Sequence, residues 1–425
     1  MHERTGEPVV AVPCLHGDCF GALAGLTSSM PGVVRPVAWI HADNRYDLTV
    51  AAHYERAAYA FGCVSRELEH QTAARLAHRV ADIFRVPNPV GVLDERVHDF
   101  CGEPRAIRLV YTGRLDEHQK RVSALPWIAR RLDGLGIDYQ LRIVGDGDSF
   151  DALRTETASM GSVELLGSVD PDEVAGHLRW ADLWVLPSRY EGQSVAMLEA
   201  MASGCVPIVA RVRSGMSESI VNGRSGIIVE VDEDATGEQA GRAMAEVISR
   251  AKSMDLSAMG ERARDHIVRE HDPARFGDRL VSIVEHVRAM AVRAWPSESP
   301  AAFTGSTPPD AADRMHQVLG ALAGKRIALY GAGRHTAELL EIIDGSPCEI
   351  VCVIDDEPAR WGKAIARWPV VSLEEAAHAG IMDVVISSWM HEERLAERTL
   401  KRMAFARVHR LYGGVSTRGS TPEPA

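Results

Sequence analysis

The sequence alternates strand-like runs with helix-like runs along almost its whole length, and this alternation restricts the fold more than any other feature. The strand-like runs are VVAVP, PVAWI, GCVS and DIFRVPN before residue 100, then IRLVYTG, YQLRIVG, VELLG, DLWVLP, VPIVA and GIIVE. Such alternation is typical of parallel sheets covered by helices. Because the Pro-rich stretch at residues 87–94 and the charged loop to residue 105 interrupt the pattern, we predict two separate sheets.

A second interruption precedes a third predicted domain. Residues 294–313 are rich in Pro, Ser, Thr and Ala, cannot bury enough apolar surface to fold, and are predicted to be a linker. After them come a strand in KRIALY, a Gly-rich turn and helix in GAGRHTAELLEII, and further strands in EIVCVIDD and DVVISS. This order predicts a small Rossmann-like domain.

Charge and composition exclude several classes of protein. The chain has 425 residues, 46% of them hydrophobic, and a formal net charge of −12. A nucleic acid partner would need clustered Lys and Arg, which this acidic chain does not supply. Its seven cysteines contain no CxxC pair, so reduced thiols are predicted rather than a disulfide framework or a zinc site. No run is long enough to cross a bilayer, so we expect a cytoplasmic protein with at most peripheral membrane contact.

A predicted strand, loop and helix in the middle of the chain form a candidate anion site. Residues 181–187 (ADLWVLP) predict a buried strand, and Ser194 is the predicted cap of a helix in VAMLEAMA. The backbone N–H groups of Gly192, Gln193 and Ser194 would point out of the helix start, where partial positive charge accumulates. We therefore expect a ligand phosphate at this junction.

Two glutamates, Glu191 and Glu199, flank the same junction. They are eight positions apart. At the rise of a helix this spacing separates the two carboxylates by roughly 12 Å, about the span of a ribose, a diphosphate and the edge of a sugar. One ligand could therefore contact both glutamates.

These residues resemble the signature of family-4 glycosyltransferases, in which such an acidic pair is followed by LEAMA and a Gly/Pro-rich strand. The resemblance extends from about His16 to Asp272 and includes LVYTGRL, LRIVGDGD and the turn SGMSESIVNGRSG. It implies retaining transfer of a sugar from a UDP- or GDP-sugar, with the donor bound in a cleft between two lobes. The predicted fold is α/β, with a two-lobe GT-B architecture, a shortened N-terminal lobe and a third Rossmann-like domain.

The resemblance implies roles for a turn, two cations and both glutamates. Arg114 and Lys120, which follow Gly113 in the same segment, match cations that hold the donor diphosphate and stabilise the departing phosphate. Glu199 matches the residue that binds the ribose hydroxyls. Glu191 matches the residue beside the donor sugar, where we expect it to orient hydroxyls rather than to act as a covalent nucleophile. Taken alone, these charges would also suit a solvated loop and a helix start.

Two histidines and a later turn complete the implied site. His41 ends the strand PVAWIH and matches a histidine placed against the donor sugar, although a structural role at the strand end is the alternative. His16 could line the acceptor side. Gly215, Glu218 and Gly223 are expected to shape the loop under the phosphates, with Glu218 capping or bracing it.

Asp146 and Asp148 form a DxD pattern, which binds a divalent metal in another glycosyltransferase fold. Here the pattern follows a predicted strand in a Gly-rich turn, and Asp-Gly turns are common for backbone reasons alone. We therefore predict transfer without a metal and without a cofactor other than the donor substrate.

The third domain carries a partial dinucleotide fingerprint. Gly331 and Gly333 lie in GAGRHT, Thr336 stands where the third small residue belongs, and Asp355 follows some twenty residues later. The domain is similar to small Rossmann-like domains appended to sugar-modifying acyltransferases and methyltransferases. Binding of a nucleotide or nucleotide sugar is one hypothesis, and a docking or oligomerising module is the other.

The predicted N-terminal lobe is shorter than the resemblance implies, because only fifteen residues precede His16. We therefore expect an open acceptor site, which another chain or copy could complete, and a large or carrier-bound acceptor. A start codon placed too late is the alternative. The predicted divisions are 1–100 for the acceptor-side lobe, 101–292 for the nucleotide-sugar-binding lobe with a final helix returning toward the first lobe, 293–313 for the linker, 314–415 for the third domain and 416–425 for a disordered tail.

Two other functions stay open beside the transferase. One is a catalytically idle scaffold that binds a nucleotide sugar. The other is a GT-B epimerase acting on a nucleotide sugar, which would release free sugar and nucleotide without an acceptor. Turnover of a bound donor, and its dependence on an acceptor, distinguish the three.

Overall fold

The computed structural model describes residues 6–13, 17–42, 45–91, 106–212, 215–232, 234–251, 253–293, 307–308, 310–389, 391–403, 405–412 and 414–417. The chain divides into two compact units. The first comprises residues 1–15, 22–43 and 51–300, and the second comprises residues 16–21, 44–50 and 301–425.

The first sheet has four parallel strands in the order β1-β2-β3-β4. These strands are β1 (Val9–Ala11), β2 (Val34–Ile40), β3 (Ala60–Cys63) and β4 (Ile83–Arg85). The helices between them along the chain are α1 (Gly17–Ser29), α2 (Arg45–His53) and α3 (Arg66–Arg75), with a 3₁₀ helix at Ala77–Asp82. Strand β2 is buried along its whole length, as its nearly continuous apolar sequence requires.

The second sheet has six parallel strands in the order β10-β9-β8-β5-β6-β7. Its strands are β5 (Ile107–Thr112), β6 (Tyr139–Val144), β7 (Val163–Gly167), β8 (Leu183–Leu186), β9 (Val206–Ala210) and β10 (Ile227–Val229). The apolar runs LWVL and VPIVA form β8 and β9, and every residue of both strands is buried. A large apolar core of buried side chains therefore surrounds this sheet.

Helices cover this sheet and follow it along the chain. They are α4 (Glu117–Lys120), α5 (Ala124–Gly134), α6 (Phe150–Thr157), α7 (Pro171–Trp180), α8 (Val195–Ala202), α9 (Met216–Ser219), α10 (Gly237–Ala251), α11 (Leu256–Glu270) and α12 (Pro273–Ala289). The last of them, α12, contacts the first sheet. From β2, one guanidinium nitrogen of Arg35 donates to the carbonyls of Val287 at 2.5 Å and of Arg288 at 2.9 Å.

Because each sheet is parallel, the carboxyl ends of its strands lie along one edge. In open α/β sheets, ligands bind outside this edge. The loops after β5, β8 and β9 lie at this edge of the second sheet, and the end of β2 lies at the equivalent edge of the first. The predicted site residues come from these segments.

The second unit contains a seven-stranded sheet in the order β13-β14-β12-β11-β15-β16-β17. Its strands are β11 (Arg326–Tyr330), β12 (Glu349–Ile354), β13 (Ala364–Ile365), β14 (Trp368–Val371), β15 (Asp383–Ile386), β16 (Arg407–Arg410) and β17 (Gly414–Thr417). The five parallel strands, numbered among themselves, run 3-2-1-4-5, the order of a doubly wound dinucleotide-binding sheet. Strands β13 and β17 are antiparallel additions at the edges.

The helices of the second unit are α13 (Ala311–Ala321), α14 (Arg334–Glu338), α15 (Leu340–Asp344), α16 (Leu373–His378) and α17 (Glu392–Arg402), with a 3₁₀ helix at Pro358–Arg360. Helix α13 begins before residue 314, the predicted start of the third domain, and β17 extends past residue 416, the predicted start of the tail.

No helix in the described parts of the chain combines the length and apolar character that a membrane span requires.

Candidate functional site

The loop between β8 and α8 forms the centre of the candidate site. Helix α8 begins at Val195, and the Ser194 hydroxyl oxygen accepts the Met197 N–H at 3.4 Å. The predicted cap is therefore confirmed. None of the N–H groups of Gly192, Gln193 and Ser194 donates a hydrogen bond to another described residue. Three donors at the positive end of an eight-residue helix are thus available to an anion.

Lys120 and Glu191 form a largely buried ion pair beside this loop. The Lys120 Nζ lies 2.6 Å from Glu191 Oε1, and the two side chains are 15% and 6% exposed. The Ser188 hydroxyl donates to the same oxygen at 2.7 Å. Lys120 is the last residue of α4, and Arg121 ends that helix with a φ of 51°. From the sequence we predicted that both charged side chains lie near the donor. The contact between them was not predicted.

The turn after β5 holds the second predicted cation. Burial raises the pKa of the Tyr111 phenol, and the negative charge of Glu191 raises it further, so the phenol stays protonated. It donates to the Arg114 carbonyl at 2.7 Å, across the turn at Gly113, whose φ is 150°. The Arg114 side chain is exposed, and its Nη2 donates to Gln119 Oε1 at 2.8 Å. Of the two cations, Lys120 is therefore the one held beside the loop after β8.

Glu199 lies one turn along α8 and is half-buried. Burial raises the pKa of its carboxyl group. No hydrogen bond or ion pair joins this carboxylate to another described residue. A partly desolvated carboxylate without a protein partner is available to the hydroxyl groups of a ligand.

The loop after β8 packs directly against the first lobe, the part of the first unit that contains strands β1–β4; the second lobe is the part that contains β5–β10. A Cβ atom at Gly192 would lie 2.0 Å from the His41 carbonyl oxygen. The Gln193 side-chain oxygen accepts the Asn88 N–H at 2.8 Å. The sequence assigned Gln193 only a backbone role, whereas its side chain also joins the loop to the segment that follows β4.

His41 lies at the carboxyl end of β2, and its backbone contacts this loop. The residue is exposed overall, yet the surrounding protein partly desolvates the imidazole and lowers its pKa, so the ring is neutral at pH 7. A neutral imidazole offers one donor and one acceptor, which suits a sugar hydroxyl. His16, the other predicted histidine, lies outside the described residues.

The turn that contains Gly215 and Glu218 contacts both the loop after β8, as predicted, and the first lobe. The Gly215 N–H donates to the Gly192 carbonyl at 2.8 Å. Glu218 Oε1 accepts the Glu67 N–H at 3.0 Å in the first turn of α3, and Glu218 Oε2 lies 3.8 Å from Arg85 Nη1. The Glu218 side chain thus braces the first lobe. A Cβ atom at Gly215 would lie 2.4 Å from the Ser65 Cβ, so this glycine also serves the contact between the lobes. Gly223, with a φ of 74°, forms a separate turn.

The DxD segment packs against the turn after β5. Asp146 Oδ1 accepts the Gly147 N–H at 2.7 Å, and a Cβ atom at Gly145 would lie 1.9 Å from the Gly113 carbonyl oxygen. Among the described residues, which include Asp148, no group of three or more His, Cys, Asp or Glu side chains could hold a metal ion. The glycines of this segment therefore allow β5 and β6 to end in close contact.

Two polar side chains of the site were not predicted. Ser188 donates to Glu191, and Gln119 accepts from Arg114 and donates weakly to the Tyr190 carbonyl at 3.4 Å. The sequence could have indicated both residues, because Ser188 is three positions before Glu191 in the same loop and Gln119 directly precedes Lys120.

The Gly-rich turn of the second unit lies between β11 and β15, where the strand order reverses. The Asp355 carboxylate accepts the Ala332 N–H at 2.7 Å, and Arg360 Nη1 lies 3.3 Å from the same oxygen. Thr336 donates to the Ser387 hydroxyl at 2.7 Å, which links the turn to the loop after β15. The carboxylate that a dinucleotide ribose would use is therefore already engaged by the protein itself.

Comparison with known protein families finds a match for the part of the chain that forms the second sheet. Residues 106–249 match the family model described as glycosyl transferases group 1. All six strands of the second sheet fall within this range, together with Lys120, Glu191 and Glu199. This part of the chain is therefore similar to group 1 glycosyl transferases.

Curated proteins that are similar to this chain are described as glycosyltransferases. A GDP-mannose-dependent alpha-(1-6)-phosphatidylinositol monomannoside mannosyltransferase of Mycobacterium tuberculosis is 32% identical over 191 residues, which are 42% of this chain and 47% of that protein. The chain spans about half the length of the curated relatives it matches.

Two solved structures show the fold. The pneumococcal O-GlcNAc transferase GtfA, in complex with UDP and GlcNAc, has a TM-score of 0.55 at 15% identity, over 66% of this chain and 57% of that one. The lipopolysaccharide outer core galactosyltransferase WaaB has a TM-score of 0.52 at 22% identity, over 67% of this chain and 76% of that one. The predicted α/β fold of GT-B type is confirmed.

Proposed function

We propose that the protein is a retaining, metal-independent glycosyltransferase that acts in the cytoplasm and moves a sugar from a UDP- or GDP-sugar to an acceptor. One observation carries this proposal. The Lys120–Glu191 pair lies beside the loop after β8, and no described residue engages the three N–H groups of that loop or the Glu199 carboxylate of the helix that follows it. All of them lie within the residues that match group 1 glycosyl transferases.

Diphosphate binding makes use of the Lys120–Glu191 pair. An ammonium group carries three donors, and Glu191 Oε1 uses one of them at 2.6 Å. Lys120 can thus keep Glu191 and also donate to a phosphate oxygen. The N–H groups of residues 192–194 stabilise the same phosphate from the helix end, and Arg114 adds positive charge from the exposed side.

Sugar transfer follows from this arrangement. Negative charge grows on the phosphate oxygen as the bond to the sugar breaks, and we assign the stabilisation of this charge to Lys120 and the N–H groups. The departing phosphate takes the proton of the acceptor on the same face of the sugar, so the configuration is retained. Glu191 and His41 orient the sugar hydroxyls, and Glu199 binds those of the ribose.

A thermal-shift panel of UDP- and GDP-sugars, with UDP and GDP alone as controls, tests the proposal. One donor is expected to raise the melting temperature, because a ligand at a hundredfold excess over its Kd stabilises by about 2.7 kcal/mol. That donor is then incubated with the protein and release of nucleoside diphosphate is followed. A shift without turnover identifies an idle binding protein, release of free sugar and nucleotide without an acceptor identifies the epimerase, and the absence of any shift contradicts the proposal.

Removal of divalent metal is expected to leave the rate of transfer unchanged, because the cations assigned to the diphosphate are protein side chains. The measurement is nucleoside diphosphate release before and after dialysis against EDTA. Activity that disappears in EDTA and returns with magnesium or manganese would show that a metal takes part.

Replacing Glu199 with glutamine is expected to weaken donor binding without reducing stability at pH 7. A hydrogen bond to a charged group contributes about 1.5–3 kcal/mol, so the Kd should rise by at least about tenfold. Burial raises the pKa of Glu199, so its ionised form costs free energy in the folded state; this cost is absent at low pH and appears as the pH rises. Melting temperatures from about pH 4 to pH 8 check the sign, because the variant should melt with the wild type at the acidic end and above it toward higher pH.

A further inference from the structure

A polar cavity of about 270 Å³ lies between the two lobes of the first unit, beside the loop after β8. The first lobe contributes Arg66 and Arg85, and the second lobe contributes Gln193 and Glu218. Its remaining wall includes Glu270, at the end of α11. Apart from Gln193, none of these residues belongs to the candidate donor site, so the cavity is a separate feature of the same cleft.

Hydrogen bonds between the lobes fix the walls of this cavity. The Asn88 N–H donates to Gln193 at 2.8 Å, and the Asn88 carbonyl lies 2.8 Å from His271 Nδ1. On the opposite side, Glu218 accepts the Glu67 N–H at 3.0 Å. A molecule in the cavity would therefore contact both lobes next to the loop that carries Glu191.

Both free donors and free acceptors line the cavity. Neither the Arg66 guanidinium nor the Glu270 carboxylate makes a hydrogen bond or ion pair with another described residue. Arg85 reaches Glu218 only at 3.8 Å, too far for a hydrogen bond. Donors and acceptors that no described residue engages suit a ligand that can both donate and accept.

The balance of charge decides which kind of ligand this is. Two arginines face two glutamates, so the four formal charges cancel. Burial lowers the pKa of both His266 and His271, the two histidines in the wall, so they add no positive charge at pH 7. A strongly anionic group therefore gains little here, whereas hydroxyl groups can accept from arginine and donate to glutamate.

We propose that this cavity binds one sugar ring of the acceptor, with Arg66 and Glu270 contacting its hydroxyls. The inference rests on the proposed transferase function and adds the chemical class of the acceptor, a saccharide. The volume agrees, because it lies just below the range of about 300–1,000 Å³ that larger ligands occupy. Gln193 is adjacent in sequence to Gly192, so a ring in the cavity lies beside the donor loop.

Saturation-transfer NMR on the full chain tests this assignment without knowledge of the acceptor. The probes are three neutral sugars, the methyl α-glycosides of glucose, galactose and mannose, and one anionic sugar, the methyl α-glycoside of glucuronic acid. Each is measured with and without UDP or GDP. The wild type is expected to saturate at least one neutral glycoside. Arg66→Gln and Glu270→Gln should each lose most of that signal while keeping the thermal shift given by the nucleotide sugar.

Matched controls are Arg288→Gln and Glu285→Gln, exposed positions on α12 that do not line the cavity. Both should behave as the wild type. No signal from any glycoside, or equal signals in all variants, overturns the assignment even if the donor binds. If no nucleotide sugar shifts the wild type but glycoside signals still depend on Arg66, the saccharide site stands and the transferase proposal fails.

Discussion

Replacing Lys120 with methionine is expected to remove most of the donor-induced thermal shift and to lower the rate of sugar transfer by about 10²–10³-fold, the usual effect of removing one donor to a developing negative charge. Methionine keeps the unbranched shape of the side chain and removes only the ammonium group. The measurements are the thermal shift with the donor identified by the panel and the release of nucleoside diphosphate under saturating donor.

The same substitution also breaks a largely buried ion pair, and this effect has to be separated from loss of donor binding. Removing one partner leaves Glu191 buried without its cation, which typically costs about 3–5 kcal/mol. The double variant Lys120→Met, Glu191→Gln removes that uncompensated charge, so it should regain stability without regaining the donor shift. Lys363→Met, at an exposed position of the second unit, is the matched control. Wild-type donor shifts in either Lys120 variant would contradict the phosphate assignment.

Local features of the site could be predicted because each depends on neighbouring residues. The run ADLWVLP is apolar without alternation, and it contains the buried strand β8. Ser194 could be identified as a cap because the residues after it are helix formers, and its hydroxyl does accept the Met197 N–H. The strand-like runs before residue 100 likewise predicted the four strands of the first sheet.

The pairing of charges could not be predicted in the same way. Lys120 and Glu191 are 71 positions apart and meet only because β5 and β8 are neighbours in the second sheet. The sequence pattern favours parallel strands but does not say which strands are adjacent. Both residues were therefore assigned to one ligand, although the protein itself already joins them.

Contacts between the two lobes could not be predicted from the sequence either. Glu218 lies in a turn that resembles a phosphate-supporting loop, yet its carboxylate accepts an N–H at the start of α3, 151 positions earlier. Gln193 likewise has a partner 105 positions away, in the segment after β4. Neither partner has a periodicity or motif that points to the second lobe, because such contacts depend on how the two sheets pack.

Gly192 shows how closely the two sheets approach. A Cβ atom there would lie 2.0 Å from the His41 carbonyl oxygen, 2.9 Å from the His41 carbonyl carbon and 3.0 Å from the Ala42 Cα. All three are backbone atoms, which cannot move aside as a flexible side chain would. Any side chain at position 192 must therefore shift either the loop of Glu191 or the end of β2.

Gly192→Ala is accordingly expected to lower the rate of transfer by about 10²-fold, since displacement of reacting groups by about 1 Å has this effect. Crowding of the backbone should also destabilise the fold by about 1–3 kcal/mol. Thermal melting and nucleoside diphosphate release measure the two effects. Gly176→Ala is the control: it lies in α7, its Cβ would meet nothing within 4 Å, and alanine favours a helix by about 0.5–1 kcal/mol. A Gly192→Ala protein as active and stable as this control would show that the lobes do not need this contact.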